Sequence, residues 1–287
     1  MTYEPKGYNF QNYPVAFQQL HRPPKEIYCR GPWIDETHVF ITVVGSREPT
    51  RYGIDSCKKI ISGLRGSGIT VVSGMARGID SIAHQAALDA GLPTIAFPGS
   101  GVSDDVLYPK QGLKLAHQIM TAGGSIISPF TPHQPSLPWM FPFRNHLMAA
   151  LSEITLVIES AEKSGTLITA YAALEYGKTV AAVPGPISSS LSEGTNTLIK
   201  NGAQLIQTSN DLLELLGLEQ AESHQLDLSL NLASDERAIM HKLGAEPCTF
   251  DQLCHHTGRN PEELLVILSN LEVQGLIDGD GGVFRKK

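Results

Sequence analysis

The sequence is poor in cysteine, and none of its cysteines has the spacing of a metal or disulfide motif. Its 287 residues include no CxxC pair, and the four cysteines are Cys29, Cys57, Cys248 and Cys254. The nearest approach to a metal cluster, Cys254 with His255 and His256, matches no standard zinc spacing. We therefore expect reduced thiols in a cytoplasmic protein, with neither a disulfide framework nor a bound metal.

Long hydrophobic runs are also missing. No stretch reaches the ~18 consecutive apolar residues of a membrane-spanning helix, and the first thirty residues contain Pro, Lys and Glu but no apolar signal-peptide core. Apolar residues nevertheless make up 41% of the chain and charged residues 18%, which is typical of a folded domain rather than a disordered polymer. We expect a folded protein with neither a signal peptide nor a membrane span.

The chain has no overall basic charge, and its net charge of −7 is unevenly distributed. Residues 39–210 contain eleven acidic and twelve basic side chains, whereas 211–234 contain five acidic and no basic ones, and 235–287 contain nine and six. The acidity therefore belongs to the C-terminal part, and the central region can still present a local basic pocket. The net charge alone does not exclude a nucleic-acid partner.

The motifs of the common nucleotide-dependent and hydrolytic enzymes are absent. No GxGxxG follows the first strand-like run, the Walker-like string AALEYGKT has Ala172 at a required glycine, and no GxSxG, HExxH or EF-hand pattern occurs. His84 is the candidate for acid–base chemistry, but a lone histidine in a helical segment is more often structural. We expect a binding cleft, with no catalytic residue and no cofactor.

Short β-branched runs alternate with amphipathic segments through the middle of the chain. The runs are VFITVV, ITVVS, PTIAF, SIIS, ITLVIES, TVAAV and AQLIQ. This alternation predicts an α/β fold, a doubly wound and mostly parallel sheet with helices on both faces. Gly or Ser follows five of the runs, and ligands bind at the carboxyl ends of strands in such sheets. The pattern predicts a glycine-lined cleft at one edge.

Composition divides the chain into four parts. Residues 1–38 are a Pro-rich lead-in that we expect to pack on the core, 39–216 form the α/β domain, and 217–234 form an acidic linker. Residues 235–287 contain three helical segments that end near glycines and a hairpin signal at DGDGG. Three helices followed by a small hairpin predict a C-terminal winged-helix domain.

Two turns have the composition of phosphate-binding loops. Gly45-Ser46-Arg47 follows the first core run, and such a turn offers backbone N–H groups and a forked guanidinium to an anion. Lys163-Ser164-Gly165-Thr166 precedes a helical segment, whose N-terminus favours an anion. A third turn contains Gly74, Arg77 and Gly78, whose glycines allow a close backbone approach, and Asp80, which we interpret as a structural helix cap.

The segment from Trp139 to His146 combines aromatic and basic residues. Base-on-aromatic stacking tolerates any sequence, so aromatic rings beside an arginine are typical of single-strand binding. Phe141 and Phe143 could equally be core residues, whereas Arg144 is harder to explain as one. We include Phe141, Phe143, Arg144 and the adjacent Asn145 in the predicted site.

These elements, in this order, resemble the DprA (Smf) family of DNA-processing proteins. The resemblance runs from about Tyr13 to Leu216, through ITVVGSREPTRYG, VVSGMARGIDSIAHQAALDAG, FPFRNHLMAALS and IESAEKSGTLITAYAALEYGKTVAAVPG. The C-terminal unit also resembles the winged-helix domain of that family. The resemblance implies an extended Rossmann-like domain that binds single-stranded DNA without sequence preference, protects incoming DNA during natural transformation and loads RecA onto it as a homodimer, without turnover.

The resemblance also implies site residues and two departures. The family's GSR, FPxRNR and KSG segments correspond here to Gly45, Ser46 and Arg47, to Arg144 and Asn145, and to Lys163, Ser164 and Gly165. His146 stands where the family has its second arginine, and Phe143 occupies a commonly basic position. These departures predict weaker or more salt- and pH-sensitive binding.

Two other functions share parts of this sequence pattern. A nucleotide N-glycosidic hydrolase of the lysine-decarboxylase-like type shares the sheet pattern and phosphate loops, but its PGGxGTxxE signature is absent, and Glu175 lies two turns beyond Thr166. A duplex-binding regulator would use the winged helix, yet its NPEELLVILSN segment contains no cation. We interpret the winged helix as a protein-contact or weakly DNA-binding accessory.

Overall fold

The computed structural model describes residues 3–218, 234–245, 247–273, 276–280 and 282–286. The chain divides into two compact units, Met1–Ala221 and Glu222–Lys287, which are considered separately below. Residues 219–233 of the predicted acidic linker lie outside the described part.

The first unit is built on a single mixed sheet, which has nine strands within the described residues. The strands are β1 (Lys6–Asn9), β2 (Glu26–Arg30), β3 (Val39–Val44), β4 (Ile69–Ser73), β5 (Thr94–Ala96), β6 (Ser125–Ser128), β7 (Ile154–Val157), β8 (Thr179–Ala182) and β9 (Gln204–Leu205). Their order is β1-β2-β6-β5-β4-β3-β7-β8-β9. Strands β3 to β9 are parallel, so all seven predicted strands and the mostly parallel sheet are confirmed.

Helices cover both faces of this sheet. They are α1 (Val15–Gln18), α2 (Arg51–Ser62), α3 (Ile79–Asp89), α4 (Leu113–Thr121), α5 (Met140–Leu151), α6 (Thr166–Glu175), α7 (Glu193–Lys200) and α8 (Ser209–Leu215). Successive strand residues alternate between the two faces: Val71 packs in a core with α2, α3 and α8, whereas Val72 packs in a core with α5 and α6. This two-sided burial explains why the central strands are continuous apolar runs.

The strand order reverses at β3. From β3 the chain proceeds outward through β4, β5 and β6, and then returns to place β7 on the other side of β3. The loops that follow β3 and β7 therefore diverge from adjacent strand ends and leave a crevice between them. Open α/β sheets bind ligands at such a switch point.

The residues before Val39 form more structure than an extended lead-in. β2 pairs antiparallel with β6, and β1 pairs antiparallel with β2, so this segment extends one edge of the sheet. Tyr13, which precedes α1, and Phe17, which lies on α1, are both buried in the main core. The sequence pattern did not reveal β1 because Lys6–Asn9 is mostly exposed and has no apolar alternation.

The second unit contains the helices and the hairpin of the predicted winged-helix domain. Its helices are α9 (Ser234–Ala245), α10 (Phe250–Thr257) and α11 (Pro261–Val273), and its strands are β10 (Cys248–Thr249), β11 (Ile277–Asp280) and β12 (Val283–Lys286). The three helices and the β11–β12 hairpin are confirmed, while β10, which pairs with β12, was not predicted. Leu253, Leu264 and Leu268 are among the buried residues of its core.

No disulfide joins the four cysteines, of which Cys29, Cys57 and Cys248 are buried. Burial raises the pKa of both Cys29 and Cys57 to about 12, so neither is a thiolate near neutral pH. Within the described residues, no group of three or more His, Cys, Asp and Glu side chains is placed to hold a metal ion. In the same residues, no helix has the length and apolar character needed to cross a membrane.

Candidate nucleic-acid interface

A cleft of about 700 Å³ opens at the carboxyl ends of β3 and β7. The loop after β3, the loop before α6, the first half of α5 and Tyr108 form its walls. Ten of the residues predicted from the sequence line it: Gly45, Ser46, Arg47, Phe141, Arg144, Asn145, Lys163, Ser164, Gly165 and Thr166. Thus three segments that are distant in sequence meet at the switch point of the sheet.

The loop after β3 presents a side chain, rather than the Ser46 amide, to the cleft. The Ser46 N–H donates to the Glu159 carbonyl oxygen at 2.9 Å, and the Ser46 carbonyl oxygen accepts from the Ile79 N–H at 3.1 Å. The Ser46 N–H is therefore already used, which corrects the expectation that it faces an anion. Arg47 is exposed beside it and supplies the positive charge of this loop.

The loop before α6 places a second cation and a helix N-terminus at the cleft. Lys163 is exposed, and the first turn of α6 contains no acidic residue, so the positive end of the helix dipole is not neutralised. The Thr166 hydroxyl donates to the Gly45 carbonyl oxygen at 3.0 Å, and the Ser164 hydroxyl accepts from the Thr166 N–H at 3.2 Å. The first bond joins the two loops, and the second lies within the loop before α6.

The third predicted loop supports the cleft from behind. Gly74, Arg77 and Gly78 are outside its lining. A Cβ at Gly74 would overlap the Arg144 guanidinium, and Gly78 has a φ of +78° with no room for a Cβ beside the Ser46 carbonyl. These glycines are therefore packing residues. Arg77 is exposed and is not among the residues that line the cleft.

Arg144 forms part of the floor of the cleft and is 4% exposed. Its Nη1 donates to the Phe97 carbonyl oxygen, and its Nη2 lies 3.9 Å from Asp80 Oδ2. Burial raises the pKa of Asp80, while the Arg144 guanidinium acts in the opposite direction. Asp80 lies in the first turn of α3 and its carboxylate accepts from the Ala76 N–H at 3.4 Å, so it is a buried partner of Arg144 rather than the predicted cap.

Aromatic rings form one wall. The Arg47 guanidinium carbon lies 5.9 Å from the centre of the Phe141 ring, and the Tyr108 ring meets Phe141 edge-on at 5.7 Å between centres. Tyr108 is 47% exposed. Tyr108 was not among the predicted residues because it lies in an irregular loop between β5 and α4. Its signal was an aromatic residue in a Gly- and Ser-rich loop that follows a strand.

Phe143 and His146 face away from the cleft, on the opposite side of α5. Phe143 packs against Phe130 with 6.0 Å between ring centres, and His146 Nδ1 lies 2.8 Å from the Tyr176 hydroxyl. Phe143 was predicted to lie in the cleft, and this prediction is wrong. Because His146 also lies outside the cleft, the geometry of the cleft gives no support to the pH-sensitive binding that was predicted from this residue.

The candidate groups for catalysis lie elsewhere or are buried. His84 is fully buried with Nδ1 2.7 Å from the Thr94 hydroxyl, and burial lowers its pKa to about 3. Glu175 lies near His146 at the far end of α6. Among the described residues that line the cleft, Asp80 is the one that carries a carboxylate, and this carboxylate faces Arg144. The arrangement suits holding an anionic, base-bearing chain better than cleaving a glycosidic bond.

The first unit is an open α/β sheet protein with a cleft lined by cations and aromatic rings at the switch point of its sheet, and the second unit is a winged helix. The chain matches the family model of DNA recombination-mediator protein A over residues 7–217 and that of the DprA winged helix domain over residues 223–282. The protein therefore belongs to the DprA family.

Individual relatives agree with this assignment. The chain is 35% identical to Protein Smf of Escherichia coli (strain K12) over 277 residues, which cover 92% of this chain and 72% of that protein. The X-ray structure of DprA from Streptococcus pneumoniae matches with a TM-score of 0.68 and 34% identity, over 75% of this chain and 74% of that one. A structure giving insights into the unique single-stranded DNA binding mode of DprA from Helicobacter pylori matches with a TM-score of 0.66 and 29% identity, over 75% and 98%.

Proposed function

We propose that the protein binds single-stranded DNA in this cleft without sequence preference. The observation that supports the proposal is the placement of two exposed cations, Arg47 and Lys163, on opposite loops of a cleft whose wall is the Phe141 ring. Cations that follow a backbone, combined with an aromatic surface for bases, are the two requirements of sequence-tolerant single-strand binding.

The two loops have different tasks in this proposal. Arg47 donates a forked pair of hydrogen bonds to one phosphate, and Lys163 with the α6 N-terminus attracts a neighbouring phosphate. Phe141 and Tyr108 offer π-surfaces on which any base stacks. Because these contacts address phosphates and base faces rather than base edges, they carry no sequence readout.

We extend the proposal to the wider role that family membership supports. The protein acts in the cytoplasm as a homodimer, protects incoming DNA during natural transformation and delivers it to RecA. It does so by binding and not by turnover. For the dimer, the exposed edge strand β9, where Leu205 is 46% exposed, is the surface that we expect to pair. Sedimentation of the parent and of Leu205→Lys tests this expectation.

The winged helix has an accessory role in this proposal. Helix α11, which occupies the recognition position, contains no Lys, Arg or His, whereas duplex recognition relies on Arg and Lys in that helix. A protein contact or weak DNA binding is the better fit. Deletion of the second unit should leave the affinity of the cleft for single strands within about twofold.

The decisive experiment compares a labelled oligo-dT with a duplex of equal length by fluorescence anisotropy over a series of salt concentrations. The parent should prefer the single strand, with an affinity that falls as salt increases. Arg47→Ala combined with Lys163→Ala should abolish the preference, whereas the matched pair Arg51→Ala with Lys58→Ala, on exposed positions of α2, should retain it. Equal binding by the cleft variant and the parent would refute the proposal.

A further inference from the structure

A second pocket lies outside the cleft. Its volume is about 150 Å³, and it is lined by Leu20, His21, Arg22, Phe143, His146, Leu147 and Tyr176. Nothing in the proposed binding of DNA by the cleft uses these residues. They come from three separate parts of the first unit: the segment after α1, helix α5 and the end of α6.

The pocket and the cleft share helix α5. Successive residues of an α-helix are rotated by about 100°, so Phe141, Arg144 and Asn145 face one side, while Phe143 and His146 face the other. The first group lines the cleft and the second lines the pocket. Helix α5 therefore separates two sites, and a polymer bound in one reaches the other by passing around the helix.

The chemistry of the pocket suits a planar ring with an anionic neighbour. A cavity of ~150 Å³ accepts a ring of the size of benzene. Phe143 and Tyr176 supply aromatic surface, and the Tyr176 hydroxyl is fixed by His146 at 2.8 Å. At the rim, His21 and Arg22 are both exposed, and Arg22 supplies a permanent positive charge. The Glu175 carboxylate lies 3.9 Å from His146 Nδ1, so a phosphate would be held on the side of Arg22.

Aromatic contacts connect the two sites around the beginning of α5. Trp139, the residue before the helix, is 59% exposed and meets Phe130 edge-on at 5.5 Å between ring centres, and Phe130 in turn contacts Phe143 at 6.0 Å. The neighbouring Pro138 lines the cleft. The first turn of α5 contains no acidic residue that would repel a phosphate. The surface between the sites is thus apolar, aromatic and free of negative charge in that turn.

We propose that this pocket is a second base-binding site for the DNA strand that occupies the cleft. The inference rests on the proposed function and specifies its footprint. A helix is about 10–12 Å across with its side chains, and a stacked strand advances ~3.4 Å per nucleotide. A path around α5 is at least as long as that width, so about three or more stacked nucleotides, which pass Trp139, separate the base in the pocket from the base on Phe141.

The test is a length series of oligo-dT, from strands that fill the cleft alone to strands of about twelve nucleotides. For the parent, affinity should rise by about tenfold once the strand reaches the pocket. The double variant His21→Ser with Arg22→Glu, at exposed rim positions, should bind short strands like the parent and lose that step. Lys25→Glu, an exposed cation on the same segment outside the pocket lining, is the control and should keep it.

A positional readout completes the test. With 2-aminopurine placed at each position of a long strand, the parent should quench a second position, and the double variant should restore its fluorescence. A parent without a length step, or a double variant that retains the step and the second quenched position, would overturn the inference. If the parent binds neither short nor long strands, the proposed function itself fails, which is a separate result.

Discussion

Nη2 of Arg144 and Oδ2 of Asp80 lie 3.9 Å apart, and both side chains are almost completely buried beneath the cleft. The positive charge of Arg144, which was predicted to lie in the binding site, is therefore compensated by the Asp80 carboxylate beneath the cleft. In the proposed complex the exposed cations Arg47 and Lys163 attract the phosphate chain, while Arg144 holds the shape of the floor through Phe97 and Asp80.

Removal of Arg144 should reduce the stability of the fold. In Arg144→Met the Asp80 carboxylate is left buried without its partner, and breaking a buried pair in this way costs about 3–5 kcal/mol. Urea unfolding measures the loss. The double variant Arg144→Met with Asp80→Asn should lose less than the sum of the two single variants, because it removes both charges; additive losses would show that the pair is not coupled.

Gly74→Ala should also destabilise the protein, since a Cβ there would overlap the Arg144 guanidinium. Forcing an atom into a packed site costs typically 1–3 kcal/mol. Gly165→Ala is the matched control, because a Cβ at Gly165 meets no atom within 4 Å and its φ is −59°. Thermal melts should show a lower Tm for the first variant alone; equal melts would contradict the packing role of Gly74.

Tyr108→Leu should weaken single-strand binding while leaving the fold intact. Leucine retains apolar bulk but offers no π-face, and base stacking on an aromatic side chain contributes about 1–3 kcal/mol per base. The affinity for oligo-dT should fall by a factor of roughly 5–150. Tyr171→Leu, which changes an exposed tyrosine of α6 outside the cleft lining, should bind like the parent. Equal effects of the two changes would remove Tyr108 from the site.

His84 should make the fold sensitive to acid. Burial lowers its folded-state pKa to about 3 from an ordinary value of 6.5, so the unfolded chain binds the extra proton between those values. Its contribution is fully present above pH 6.5 and is lost as the pH falls toward 3, at a rate of up to ~1.4 kcal/mol per pH unit. Urea midpoints between pH 7.5 and 4.5 should fall less steeply for His84→Gln than for the parent, and equal slopes would contradict this role of His84.

The parts of the fold that could be predicted are those where burial leaves a pattern. The parallel strands from β3 to β8 are mostly buried on both faces, so each is a short apolar run. Because ligands bind at the carboxyl ends of such strands, the loops around Arg47 and Lys163 were predicted to lie together. The strand β1 left no such pattern because it is an exposed edge. Tyr108 was missed for the related reason that an irregular loop has no period.

The error within the site has a different origin. The segment from Trp139 to His146 was interpreted as one binding surface, but most of it forms the first turns of α5. Neighbours in a helix point in different directions, so Phe141 and Arg144 reach the cleft while Phe143 and His146 do not. Helical phase, which depends on where the helix begins and which face is buried, could not be assigned from composition alone.

The hydrogen bonds from Thr166 to Gly45 and from Ser46 to Glu159 join the loop after β3 to the loop before α6, and the bond from Ile79 to Ser46 joins the loop after β3 to the beginning of α3. The backbone of the cleft is therefore preorganised, and the two loops lose little conformational entropy when a ligand binds. In the proposed complex, the ordering that accompanies binding therefore falls on the long side chains of Arg47 and Lys163 and on the DNA strand itself.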